Sequence, residues 1–275
     1  MDIDVSRFNT FWECPYLFQE KYENSLEKKP NDIVSALDFG GRMHELLEEH
    51  YKKLEPFSIY PPSEIEALET EAQSMLARYK AHYPLEPFKV VTVEVTFALP
   101  LPDTKHRVIG KQDVVFRDCT TEHLGIMDHK SQNRNSNSNH PKKWAAKMQA
   151  SVYLWAARTL FPDEQVDNFY VNILTRQSPG GLIEATFPER QKLERTQEQI
   201  DKAIKDLATT ADLIEMYREK FGTDPWPAAT ENCCKMNGWE CDFYLPHTYG
   251  WSDEIRKTKY QPRTEYLQIG GVGEI

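Results

Sequence analysis

Two carboxylates and an amine are spaced for chemistry. Gly110-Lys111-Gln112-Asp113-Val114-Val115-Phe116 sets an acid at the head of an apolar run, and Gly125-Ile126-Met127-Asp128-His129-Lys130 closes the next run on Asp-x-Lys. Residues i and i+2 of a strand share a face, so Asp128 and Lys130 point the same way, and a hairpin partner can bring Asp113 beside them. Such a patch suits a hard divalent cation and a phosphate. It is costly to bury unless a metal or a substrate uses it. Taken singly, Asp113 reads as well as a turn residue at a strand end, and Asp128 with Lys130 as an exposed ion pair.

The elements that must position these groups are also legible. The stretches 89–99, 107–116 and 124–129 are dense in β-branched and aromatic residues and predict strands, with 167–175 and 182–187 following. A helical segment opens at Ser6 and carries Phe8, Phe11 and Trp12, and Pro15 suits the first turn of the next helix. Another helix starts near Phe39 and is apolar at Met43, Leu46 and Leu47, while Ser63 is placed to cap an amphipathic helix over 65–83. Helical periodicity continues over 144–160 and 189–221. The polar run 131–140 predicts a mobile loop beside Asp-x-Lys, able to gate a strand's approach. From 223 onward the pattern is loop-rich. This order predicts an α/β fold, a central mixed β-sheet flanked by helices.

Composition narrows the partners. The chain of 275 residues is 40% hydrophobic and 28% charged, ordinary for a globular protein. No apolar run approaches the roughly 18–20 residues that span a bilayer. Met1-Asp2-Ile3-Asp4-Val5 lacks the basic and apolar regions of a signal peptide, so a cytoplasmic protein is expected, in a bacterium or in a phage-infected host. A net charge of -10 argues against a passive nucleic-acid binder, but not against an enzyme that holds phosphate through metal ions and a local basic groove. Five cysteines, at 14, 119, 233, 234 and 241, argue against a disulfide framework.

Read in order, Cys14-Pro15, Gly40-x-x-x-His44, Glu94, Gly110-x-x-Asp113, Asp128-x-Lys130 and Gln149-x-x-x-Tyr153 resemble the RecB-like branch of the PD-(D/E)XK nucleases. That branch includes phage exonucleases and CRISPR-associated adaptation exonucleases. The resemblance implies a restriction-endonuclease-like core with an N-terminal helical region and a C-terminal Cys-containing tail. It implies one nuclease domain over 1–262, with its core at about 89–187, helical parts at 6–83 and 189–221, a Cys/His segment at 226–250 and a tail at 263–275. Asp113 and Asp128 then become ligands of Mg²⁺ or Mn²⁺, His44 an added ligand that favours Mn²⁺, and the His129 carbonyl a main-chain ligand. The His129 side chain faces away from its neighbours' side. Glu94 joins as a catalytic acid, although it also reads as an outward polar residue of a strand. Lys130 either lowers the pKa of the attacking water or neutralises the phosphoryl transition state. Gln149 and Tyr153 share a helix face that meets DNA in the family. Arg134, Lys142, Lys143 and Lys147 supply a basic patch around it.

Cys234-x6-Cys241-x5-His247, with Cys14 upstream, is similar to the family's four-cysteine iron–sulfur pattern, but a histidine stands at one position and Cys233 is an alternative to Cys234. A 4Fe-4S cluster, Zn²⁺ on three cysteines and a histidine, and reduced buried thiols all remain open. The activity implied is metal-dependent hydrolysis of DNA, an exonuclease on single strands or ends. The alternatives are a non-cutting subunit of a recombination or CRISPR-adaptation complex, or a zinc-stapled interaction module. Ring-shaped oligomers occur among such relatives.

Overall fold

The computed structural model describes residues 1–29, 36–54, 71–132, 144–176, 186–228 and 241–263. In chain order its elements begin with β1 (Asp2–Ile3), α1 (Val5–Glu13), α2 (Pro15–Phe18, continued by a π-turn over Gln19–Glu23), β2 (Leu26–Lys28), α3 (Ala36–Lys52) and α4 (Glu71–His82). They continue with β3 (Phe88–Pro100), β4 (Arg107–Asp118), β5 (Leu124–Gln132), α5 (Gln149–Leu160), β6 (Val166–Thr175) and β7 (Gln191–Leu193). The last are α6 (Gln197–Phe221), α7 (Tyr244–Tyr249), α8 (Asp253–Lys259) and β8 (Tyr260–Pro262). The chain divides into two compact units: Met1–Ile33 with Ala98–Gly110 and Ile204–Ile275, and Val34–Phe97 with Lys111–Ala203.

The second of these, the sheet unit, is a mixed sheet between helices. β4 pairs antiparallel with β5, β5 parallel with β6, and β6 antiparallel with β7, while β3 lies on β4. Strand alternation sorts the apolar side chains into two layers. Val114, Phe116 and Met127 pack with Met43, Leu47, Tyr51 and Tyr79 of α3 and α4. Val115 and Ile126 pack with Leu154 and Ala157 of α5. Gly125 is where the sheet demands a missing side chain, because a Cβ there would lie 2.5 Å from the Phe116 ring.

In the terminal unit, β1 lies parallel to the start of β4, and β2 pairs antiparallel with β8. The region from 223, read as loop-rich, contains α7, α8 and β8. A second departure concerns 189–221, read as one helix. Helix α6 begins only at Gln197, because Thr196 and Gln199 form a reciprocal cap: Gln199 N donates to Thr196 Oγ1 at 3.2 Å and Thr196 N to Gln199 Oε1 at 3.0 Å. Upstream, Gln191–Leu193 pairs with β6 instead. Helix α5 likewise starts at Gln149 rather than 144, after a turn in which Lys147 N bonds Trp144 O. The helical reading of 65–70, the strand residues 182–185 and the tail 264–275 lie outside the described residues, as do 133–140 of the expected loop.

Candidate active site

The ladder between β4 and β5 ends at Val114 opposite Met127. One residue further along each strand stand Asp113 and Asp128, so the acids gather where the backbone pairing stops. Asp113 Oδ2 accepts the His129 N–H at 2.7 Å, taking over from the lost ladder bond. Asp128 continues the α5 face of β5: its Oδ1 accepts from Gln149 Nε2 at 3.1 Å and its Oδ2 lies 2.7 Å from Lys130 Nζ. His129 continues the opposite face and stacks on Tyr51, ring centroids 5.4 Å apart.

His44 reaches this cluster from α3. A Cβ at Gly40 would stand 3.1 Å from Ser131 Oγ, so the glycine lets the helix lie close to the end of β5, and His44 follows one turn later on the same face. Its Nδ1 is 3.5 Å from Asp113 Oδ1 and 3.9 Å from Glu94 Oε1. Glu94 gets there through an unusual backbone: its φ of 52° in the middle of β3 is a left-handed conformation that non-glycine residues rarely adopt. Local strain of this kind clusters at functional sites. The ligand atoms of His44, Glu94 and Asp113 all lie within 4.8 Å of one another, and no other such group of three occurs among the described residues.

Charge organises the cluster. Burial works against a protonated His44, but Asp113 and Glu94 outweigh it and raise its pKa to about 10. Burial pushes the Asp113 carboxyl up, yet the hydrogen bond and charge of His44 hold it well below the usual range. Asp128 is raised to about 6, chiefly by burial, with Lys130 pulling it down and Asp113 pushing it up. Burial lowers Lys130, but Asp128 and Asp113 more than restore its charge. A set of nitrogen and carboxylate donors that keeps a proton on an imidazole is one that a divalent cation suits.

The family model for the PD-(D/E)XK nuclease superfamily matches residues 3–243. This chain belongs to the PD-(D/E)XK nuclease superfamily. Its mixed sheet flanked by helices agrees with the restriction-endonuclease-like core of this family. Among solved structures, a candidate exonuclease from Eubacterium rectale is 17% identical, with 90% of this chain and 93% of that one covered at a TM-score of 0.48. The protein SSO0001 is 13% identical, with 76% of each chain covered at a TM-score of 0.39. No curated protein matches the sequence.

In this nuclease the remaining expected residues fall in several places. Tyr153 is half-buried, its ring edge-on to Phe97 and to Phe169 with centroids 6.0 Å from each, and its carbonyl accepts from Gln112 Nε2. Lys147 is exposed and lies over the Trp144 ring at 4.1 Å. Arg134, Lys142, Lys143, Cys233 and Cys234 lie outside the described residues. In the terminal unit Cys14 and Cys241 lie within one apolar cluster, and the His247 ring sits 5.0 Å from that of Tyr16. Among the described residues these three ligand atoms do not form a compact trio.

Two features escape the sequence reading. Lys111 forms an ion pair with Glu94 Oε2. The signal was present, since Lys111 is two residues before Asp113 on one strand. The other is a buried network behind His129. Asn172, paired with His129 in the β5–β6 register, donates to His129 Nδ1 and to Tyr79 Oη, both at 2.8 Å. The Tyr79 and Tyr51 hydroxyls are 2.6 Å apart, and Arg190 joins them to Glu86. With Nδ1 as acceptor the ring's proton sits on Nε2, and burial lowers the His129 pKa to about 3. A polar Asn172 inside an apolar strand was the only sequence signal for this network.

Proposed function

We propose that this protein is a metal-dependent DNA exonuclease that acts on single strands or DNA ends, hydrolysing phosphodiester bonds by in-line attack of water. The observation that carries the reading is the gathering of His44, Glu94, Asp113, Asp128 and Lys130 at the end of the β4–β5 ladder. His44, Glu94 and Asp113 are the residues that would hold Mg²⁺ or Mn²⁺, with Asp128 and the His129 carbonyl as further oxygen donors; the imidazole favours Mn²⁺ more than an all-oxygen site does. An ion held there supplies Lewis-acid polarisation of a phosphoryl oxygen and makes a water more acidic.

The protein's own groups do the rest. Lys130, held on Asp128, offers an ammonium to the charge that builds on the phosphoryl oxygens, or positions the attacking water. Gln149 fixes the rotation of the Asp128 carboxylate. The Asn172–Tyr79 network clamps His129, and through its N–H the orientation of Asp113. Tyr153 anchors α5 in the apolar layer, and exposed Lys147 is available to the phosphate backbone.

In the terminal unit we read Cys14, Cys241 and His247, with Cys234 or Cys233, as a structural metal site for a 4Fe-4S cluster or Zn²⁺. Support comes from the shared apolar cluster of Cys14 and Cys241, with the His247 ring against Tyr16 of the same cluster. Metal analysis with visible absorbance of purified protein separates iron from zinc, and absence of both removes this site.

The nuclease reading is tested by incubating end-labelled single-stranded and duplex DNA with Mn²⁺, alongside Asp113→Ala and Lys130→Ala. Progressive shortening from one end, lost in both variants and in chelator, is expected. Binding without cutting by the parent protein would favour the non-catalytic subunit instead.

A further inference from the structure

The chain's net charge is -10, yet cations collect on one part of the terminal unit. The β2–β8 register sets Lys28 opposite Tyr260, and Lys29 N donates to Lys259 O at 2.8 Å. Lys29 Nζ donates to the Lys257 carbonyl at 2.7 Å. The last turn of α8 adds Arg256, Lys257 and Lys259, all exposed, while its two acids, Asp253 and Glu254, sit in the first turn. Among the described residues Lys28, Lys257 and Lys259 make no ion pair. Like charges held this close on a small sheet and one helix turn repel each other.

An aromatic surface adjoins them. Tyr249 is 72% exposed, an unusual position for a large ring. Gly250, at a φ of 78°, turns the chain sharply between Tyr249 and Trp251. Trp251 lies under Arg256, the guanidinium carbon 4.5 Å from the ring centroid, and its ring meets Tyr260 at 5.0 Å. The tryptophan thus ties the exposed end of α7 to the cationic turn of α8.

Cations that track a backbone, interleaved with a solvent-facing ring, are what single-stranded nucleic acid needs: phosphates pair with the cations and an unstacked base covers the ring. A duplex, whose bases are already stacked, has no use for the ring. We propose that the face formed by β2, β8 and α8 with Tyr249 is a single-stranded DNA-binding surface. Phosphates rest on Lys28, Lys257 and Lys259, and a base stacks on Tyr249. The inference rests on DNA being the substrate, as read above, but not on which residues cut it. A surface away from the acid cluster lets the protein hold a strand independently of metal.

Fluorescence anisotropy of the full chain with a labelled oligo(dT) of roughly 30 nucleotides, long enough for several phosphate contacts, tests this in chelator, where nothing is cut. Lys28→Gln/Lys257→Gln/Lys259→Gln is expected to weaken binding at least about tenfold and to lower the log–log salt slope by about 2, at about 0.7 per lost contact. Tyr249→Ala should weaken binding roughly fivefold or more with the slope unchanged, because stacking releases no counterions. Both variants change exposed residues, and unchanged circular dichroism confirms that they fold. Affinity and slope equal to the parent's in both, or no binding by the parent itself, overturns the proposal. Duplex bound as tightly as single strand, with no effect of Tyr249→Ala, overturns the single-strand assignment. A parent that binds this way but never cuts leaves this surface standing and removes the catalytic reading.

Discussion

On the α3–α4 side of β5, Asn172, Tyr79, Tyr51, Glu86 and Arg190 join His129 in one buried hydrogen-bonded network. One residue to either side along the same strand, Asp128 and Lys130 pair with each other in a cluster where two further carboxylates, Asp113 and Glu94, crowd a single imidazole. The two regions are a few residues apart and equally polar, but they use polarity in opposite ways. The network ties its groups to one another across four elements, although His129 Nε2, Asn172 Oδ1 and Arg190 Nε are left without a hydrogen bond, and such cross-links rigidify the sheet. The acid cluster is electrostatically incomplete, and a protonated His44 stands in for the missing positive charge. Stability should depend on the first and activity on the second.

Substitutions that separate the two should show it. The largest effect is on cleavage: Lys130→Met and Asp128→Asn should each lower the rate at saturating Mn²⁺ by about 10²–10³-fold or more. Yet Asp128→Asn should leave the urea midpoint in chelator no lower than the parent's, because burial disfavours that charge. A clear loss of stability would place Asp128 with the network instead. Next, Arg190→Met strands the buried Glu86 carboxylate and should cost about 3–5 kcal/mol in urea unfolding.

A smaller effect depends on pH. His50 packs against Tyr51 and Tyr79, and burial, then Lys80 and Arg190, lower its pKa to about 4 from an ordinary 6.5. The folded state therefore binds fewer protons than the unfolded chain between those values. The stability linked to His50 is complete above pH 6.5 and falls as pH drops toward 4, by about 3 kcal/mol in all. His50→Gln should lose that part of the acid dependence when urea midpoints are compared at neutral and acidic pH. The smallest effect tests the edge of the acid cluster. Lys111→Gln frees Glu94 from its half-exposed ion pair, so calorimetry should find Mn²⁺ bound more tightly by up to about fivefold. Weaker binding would mean that Glu94 is not a ligand.

How far these regions could be read in the sequence follows the same division. Asp113, Asp128 and Lys130 were legible because strand alternation fixes which side chains share a face, whereas His44 came into view only through its resemblance to the family motif. The flanking strands were legible through the same alternation. Glu94 was ambiguous because only its left-handed backbone swings it toward His44, and no residue-type pattern announces such a turn. The network was nearly invisible: it joins residues 51, 79, 86, 172 and 190, and contacts that distant leave no local period. The late start of α6 could have been read, since Thr196-x-x-Gln199 is a capping signature. The helical periodicity running back to 189 masked it.

The claim on which this account rests is tested most directly by anomalous diffraction from crystals soaked in Mn²⁺. The account predicts one strong peak at about 2.0–2.3 Å from a His44 ring nitrogen and a carboxylate oxygen of Asp113. Manganese bound elsewhere, with that cluster still closed on its own ion pairs, would contradict it.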